Sequence, residues 1–148
     1  MNVFRSDSPL DTKRLGKELG ETLTAGDIVL LDGDLGTGKT VFTSGIAEAL
    51  GCSDYITSPT YNIVNEHRGL TFDLFHIDVY RLDDPEEIIE LGLRDYLNRM
   101  GIVVIEWAER VKAYIRSDCI EVMIEKCVSD DNERRISISY LSYSGGLL

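Results

Sequence analysis

The chain predicts a single α/β domain built on a mixed, mostly parallel sheet flanked by helices, with an antiparallel hairpin inserted. Three observations carry this. A continuous apolar run, "DIVLLD", passes directly into a glycine-rich loop and a helix-like segment. A second apolar run, "GIVVIEW", follows later, and both suit strands buried on two faces. Strand-like and helix-like segments alternate along 148 residues, a length that fills one domain and lets it bury roughly 70% of its unfolded surface.

Each element follows in order. In "SDSPLDTKRLGKELGETL", Ser8 is placed as an N-cap and Pro9 as the first helical residue, with Leu10, Leu15, Leu19 and Leu23 at near-helical spacing. "DIVLLD" is the first strand, and the helix after the glycine loop runs to about Leu50. "GCSDYITSPT" is an irregular connection. "YNIVNEHRGLTFDLFHIDVYRL" carries β-branched and aromatic residues on both sides of "HRGL", which predicts a hairpin turned near Gly69. "DDPEEIIELGLRDYLNRM" reads as one helix with acidic residues at its start and Ile88, Leu91 and Leu97 on one side. "GIVVIEW" is a strand and "AERVKAYI" a short helix. "CIEVMIEKC" and "ERRISISYL" alternate as a two-stranded ribbon over about residues 118–141, turned at "VSDDN". The tail "SYSGGLL" is expected to fray.

The glycine loop carries the chemistry. Gly33, Gly38, Lys39 and Thr40 fill the pattern G-x-x-x-x-G-K-[ST], between a strand and a helix as that pattern requires. In such a loop, backbone N–H groups turn inward around an anion, and the helix that follows adds unpaired N–H groups and its positive dipole end. The residues expected around the phosphates are Gly33, Asp34, Leu35, Gly36, Thr37, Gly38, Lys39, Thr40 and Val41. Lys39 would neutralise the β- and γ-phosphates, and the Thr40 hydroxyl would hold Mg²⁺. The fold class sharpens accordingly to a P-loop NTPase occupying residues 1–148.

A nucleoside triphosphatase also needs a carboxylate beside Mg²⁺ and a group that positions water. Two strand ends offer one each: Asp78 in "LFHIDVYR", and Glu106 after the four apolar residues Ile102 to Ile105. Both are metal and catalytic candidates, and the sequence leaves open which binds Mg²⁺ and which handles water. Thr57, Ser58 and Thr60 in "TSPTY" stand where a switch segment lies, able to touch the γ-phosphate or Mg²⁺ in one state only; an ordinary Ser-Pro turn fits as well. Trp107 is open to stacking on a base or to core packing. His76 reads as a hydrogen-bonded histidine, and Arg81 and Arg110 as phosphate contacts or surface residues.

Composition bounds the partners. A net charge of −11 argues against this chain gripping a polyanion by itself, since nucleic-acid affinity rests on Lys and Arg displacing counterions. Three cysteines, Cys52, Cys119 and Cys127, show no C-x-x-C and no zinc spacing, and read as reduced thiols. The start of the chain has no apolar signal core, and no run approaches the ~20 residues that span a bilayer, so a soluble cytoplasmic protein is expected.

Taken together, "GDLGTGKT", "SPTY", "HIDVYR" and "EWAER" resemble, in order and spacing, the TsaE (YjeE) family, the ATPases of bacterial threonylcarbamoyladenosine biosynthesis. The likeness runs from the first helix through about Val111, and the C-terminal ribbon is only generically similar. It implies a weak Mg²⁺-dependent ATPase that works with two partners, TsaD and TsaB, which modify the adenosine at position 37 of tRNAs reading codons that begin with A. It implies roles for Lys39 and Thr40 on phosphate and Mg²⁺, for Asp78 as the aspartate of H-x-D-x-Y-R, for Glu106 and for Trp107 against adenine, with switch hydroxyls within Thr57 to Thr60. Three other activities compete. A small-metabolite kinase would need an arginine-rich lid, where this chain has "DDPEE". A GTPase would need an N-K-x-D segment, which is missing. A nucleotide sensor would bind ATP without hydrolysing it.

Overall fold

The computed structural model describes residues 1–59, 62–90 and 92–143. Thr60 of the expected switch segment, Leu91 of the expected helix and residues 144–148 of the expected tail lie outside these. Seven strands form one sheet in the order β1-β7-β6-β2-β5-β4-β3: β1 (Asn2–Ser6), β2 (Ile28–Asp32), β3 (Val64–His67), β4 (Leu74–Asp78), β5 (Ile102–Glu106), β6 (Cys119–Cys127) and β7 (Asp130–Leu141). The four central strands β6, β2, β5 and β4 run parallel, and antiparallel pairs close both edges.

The helices follow from local signals. Helix α1 (Pro9–Gly20) starts as read: Ser8 is extended, its Oγ accepts the N–H of Asp11 at 3.1 Å, and Pro9 supplies no N–H that would need a partner. Leu15, Leu19 and Leu23 are buried, whereas Leu10 faces solvent. Helix α2 (Lys39–Leu50) ends at Gly51 in the left-handed region, whose N–H closes the last turn. The long helix expected over "DDPEEIIELGLRDYLNRM" is instead two short ones, α3 (Glu87–Glu90) and α4 (Leu93–Asn98). Gly92 between them takes φ +82, which an α-helix cannot pass through. Ile88 and Leu93 are still buried against the sheet. "AERVKAYI" forms two 3₁₀ turns, Ala108–Arg110 and Lys112–Tyr114, in place of a helix.

Period-two alternation decides which side each strand residue serves. Val29, Leu31, Ile102 and Val104 pack with Phe42, Ile46 and Leu50 beneath α1 and α2. Ile28, Leu30, Val103 and Ile105 pack on the opposite face with Phe75, Ile77 and Ile88. Both faces of β2 and β5 are therefore covered, which is why these strands read as unbroken apolar runs. Strand β1 was not anticipated: "NVFRS" is short, mostly exposed, and pairs with β7 at the far end of the chain. The ribbon turns more tightly than expected, on Val128 and Ser129, because Cys127 already pairs with Asp130. The three cysteines are unbridged, and burial pushes the Cys52 and Cys119 thiols up to about 11. No helix among the described residues is long and apolar enough to cross a membrane.

Helices α1 and α2 touch backbone to backbone. A Cβ on Gly45 would stand 2.1 Å from the Lys13 carbonyl oxygen, and one on Gly16 would stand 2.1 Å from that of Phe42. Gly45→Val must separate the helices and is expected to cost about 1–3 kcal/mol in denaturant unfolding. Glu18→Ala, at an exposed ion pair on α1, should leave the midpoint near that of the unsubstituted chain.

Candidate functional site

The parallel register brings three carboxylates to one edge of the sheet. Asp78 lies opposite Glu106, Glu106 lies opposite Leu31, and Asp32 ends β2 one residue further on. All three are buried. Asp32 accepts the Glu109 N–H at 3.0 Å, tying the end of β2 to the turn after β5. Burial, the largest influence on it, raises the Asp32 carboxyl above its ordinary range.

From Asp32 the chain enters the glycine loop, which is held from inside and from the ribbon. Thr37 donates both its N–H, at 3.2 Å, and its hydroxyl, at 2.9 Å, to the Asp34 carbonyl. Gly33 has no room for a side chain, since a Cβ would stand 2.5 Å from the Ile124 carbonyl oxygen of β6. Gly36 and Gly38 take φ +78 and +108, so the backbone can reverse before α2 begins. Helix α2 starts with no side-chain cap and no acidic residue in its first turn, and its first N–H groups are left to whatever occupies the loop.

Lys39 is the cation of the site. Its ammonium donates to the Gly33 carbonyl and, at 3.3 Å, to that of Asp34, and lies 3.8 Å from the centre of the Trp107 ring. Burial depresses its pKa, against the opposing pull of Glu106 and Asp78. Trp107 reaches this position because it takes φ +59 as the chain leaves β5, and its ring leans on Tyr80 at 4.9 Å.

A cleft of about 530 Å³ joins these parts. Leu35, Gly36, Thr37, Gly38, Lys39, Thr40 and Val41 line one side, and Ser58, Asp78, Tyr80, Glu106 and Trp107 the other. Gly33 and Asp34 form the base of the loop, where their carbonyls receive Lys39. Asp78 accepts the Tyr80 N–H at 2.9 Å and the Ser58 hydroxyl at 3.2 Å. Glu106 Oε2 lies 2.7 Å from His76 Nε2, so His76 is hydrogen-bonded as read. Of the expected switch hydroxyls, Ser58 reaches the site, whereas Thr57 is exposed outside the lining. A larger, more open depression of about 840 Å³ over α1 is lined mostly by charged side chains, with Lys13 and Lys17 paired to Glu48. Its ions neutralise one another, and the smaller cleft holds the converging polar groups that a ligand site needs.

One expectation needs revision, one open alternative is decided, and three residues were missed. Arg110 does not face the cleft: its guanidinium donates to the carbonyls of Val79, Tyr80 and Leu82, and so clamps the segment after β4. Arg81 is exposed outside the lining, in keeping with the surface reading of the two left open for it. Tyr80 lines the cleft beside Trp107. Arg134 of β7 donates to the Thr37 carbonyl at 2.9 Å, and the Lys126 ammonium lies 3.6 Å from where a Cβ on Gly36 would stand. No local signal marks Arg134 or Lys126; they arrive because β6 pairs with β2 and β7 with β6, which sets Arg134 opposite Lys126. Among the described residues, no group of three or more His, Cys, Asp or Glu side chains could hold a metal unaided.

Arg134→Ala removes the ribbon's hold on the loop. Amide hydrogen exchange over residues 34–38 should then quicken roughly tenfold, while the β3–β4 hairpin stays protected.

The chain resembles known proteins in sequence and in fold. The family model described as "Threonylcarbamoyl adenosine biosynthesis protein TsaE" matches residues 6–136. The tRNA threonylcarbamoyladenosine biosynthesis protein TsaE of Bacillus subtilis is 35% identical over 130 residues, covering 88% of this chain and 81% of that protein. Its namesake from Rickettsia felis is 42% identical over 139 residues, covering 93% and 80%. The crystal structure of Bacillus subtilis YdiB superposes with a TM-score of 0.78 at 31% identity, over 96% of this chain and 85% of that one. With the family model spanning the glycine loop, both carboxylate strands and most of the ribbon, the chain belongs to the TsaE family.

Proposed function

We propose that this chain is a P-loop ATPase that binds ATP with Mg²⁺, hydrolyses it weakly alone, and acts with TsaD and TsaB homologues in threonylcarbamoyladenosine modification of tRNA. The observation that carries the reading is the cleft itself, where Lys39 and the uncapped start of α2 face Asp78 and Glu106. A site that joins the Lys39 ammonium, the uncapped first turn of α2 and two buried carboxylates suits a metal-bound polyphosphate better than a neutral ligand. The relatives bear the name of this pathway, and the fold likeness covers 96% of this chain.

The donor chemistry fits Mg²⁺. Thr40 offers a hydroxyl oxygen and Asp78 and Glu106 carboxylate oxygens, all hard donors, and a site of this type is completed by phosphate oxygens and water rather than by a protein cage. Bound there, Mg²⁺ would neutralise charge on the β- and γ-phosphates. Lys39 exchanges its loop carbonyls for those phosphates and leaves the Trp107 ring, whose face then takes the adenine. Asp78 serves the metal side, with Ser58 as the switch contact that reports the γ-phosphate. Glu106 orients the attacking water and draws off its proton. The water oxygen bonds to the γ-phosphorus as the bond to the β,γ-bridging oxygen breaks, and ADP and phosphate leave. Release of the switch contact resets the modifying complex. With a net charge of −11, this chain leaves the tRNA to its partners.

The test is phosphate release from ATP-Mg²⁺ by the chain alone and with TsaD, TsaB and tRNA. Release should rise with the partners and fall by about 100-fold or more in Glu106→Ala. Phosphoryl transfer to a small metabolite, or release indifferent to both partners and substitution, would refute the reading.

A further inference from the structure

His76 is a costly residue where it stands. It sits inside β4 among Leu74, Phe75 and Ile77, with no solvent exposure, where an aliphatic side chain would pack without polar atoms to satisfy. Its only side-chain hydrogen bond among the described residues joins Nε2 to Glu106 Oε2 at 2.7 Å, and Nδ1 has no partner. A carboxylate oxygen only accepts, so the proton of this bond lies on Nε2. The ring thus uses one nitrogen, entirely on Glu106.

The strand register explains what that bond does. His76 and Asp78 are two residues apart on β4 and face the same side; His76 pairs with Val104 and Asp78 with Glu106. The histidine therefore lies one pleat below the two carboxylates, inside the sheet edge. From there it holds one Glu106 oxygen, while the other carries no hydrogen bond among the described residues in a side chain that lines the cleft. A glutamate has freely turning bonds whose ordering would otherwise have to occur during each turnover.

We propose that His76 is a positioning residue for the hydrolysis assigned above: its Nε2–H locks the Glu106 carboxylate in the rotamer that presents Oε1 to the attacking water. It touches neither nucleotide nor water. The inference rests on the ATPase reading and adds a residue that acts solely through Glu106.

The experiment compares His76→Leu and His76→Gln in the full-length chain with TsaD, TsaB and tRNA. Three quantities are read: turnover at saturating ATP, ATP affinity from the emission of Trp107, and the thermal midpoint. In His76→Leu, turnover should fall roughly 10- to 100-fold, as for other outer partners of catalytic groups. ATP affinity should stay within about twofold, which separates a loss in the transition state from a loss of binding. In His76→Gln, whose amide N–H can reach the same oxygen, most of the turnover should return. Unsubstituted turnover in His76→Leu overturns the proposal, and so does a His76→Gln variant as impaired as His76→Leu. Loss of ATP affinity in parallel with turnover would also overturn it, marking His76 as merely structural. An unsubstituted chain that releases no phosphate with its partners overturns the ATPase reading itself, and this inference with it.

Discussion

The parallel register of β2, β4 and β5 is the constraint on which the rest depends. Parallel strands end together, and whatever residues close them share one edge; here those residues are Asp32, Asp78 and Glu106. A slip of one residue in β4 would turn Asp78 and His76 to the opposite face and place apolar Ile77 at the site. The two-sided core prevents this. Phe75 and Ile77 belong to one layer and Leu74 to the other, so a slip of one residue would send each into the wrong layer. Burial on two faces is therefore what fixes carboxylate geometry, long before any ligand is considered.

The second constraint is the approach of α1 to α2. Glycines at positions 16, 20 and 45 let the two helices meet closely, which sets the direction of α2 and with it the aim of its uncapped first turn at the cleft. The loop before it reverses at Gly36 and Gly38, and is supported by the Arg134 guanidinium and by close approach to β6 at Gly33. The C-terminal ribbon thus acts as a brace for the loop as well as an extension of the sheet. Electrostatics follow from the same packing. Burial lowers the Lys39 pKa, the surrounding carboxylates oppose that shift, and the loop carbonyls accept its N–H groups. A cation so placed is poised to exchange weak neutral partners for an anion of high charge density.

Much of this was readable in the chain. The glycine loop, the helices at Pro9 and Lys39, the hairpin near Gly69 and the buried strands each rest on local signals: caps, left-handed glycines, and apolar runs whose period or length names the element. Asp78 and Glu106 were identifiable because each ends an apolar strand. The short helices at Glu87 and Leu93 were not, since the apolar spacing continues across Gly92 and only its left-handed backbone reveals the break.

The amino-acid order alone settled helices α1 and α2, the buried strands, the hairpin and the C-terminal ribbon, and which residues carry charge at their ends, because those properties depend on neighbours a few positions away. Tertiary structure alone decided the strand order, the pairing of β1 with β7, and the partners of His76, Arg110 and Arg134. Arg110 and Arg134 look alike as isolated cations, yet one clamps the segment after β4 and the other the glycine loop. The physical reason is that a hydrogen bond acts over about 3 Å in space, and distance along the chain says nothing about who will be there.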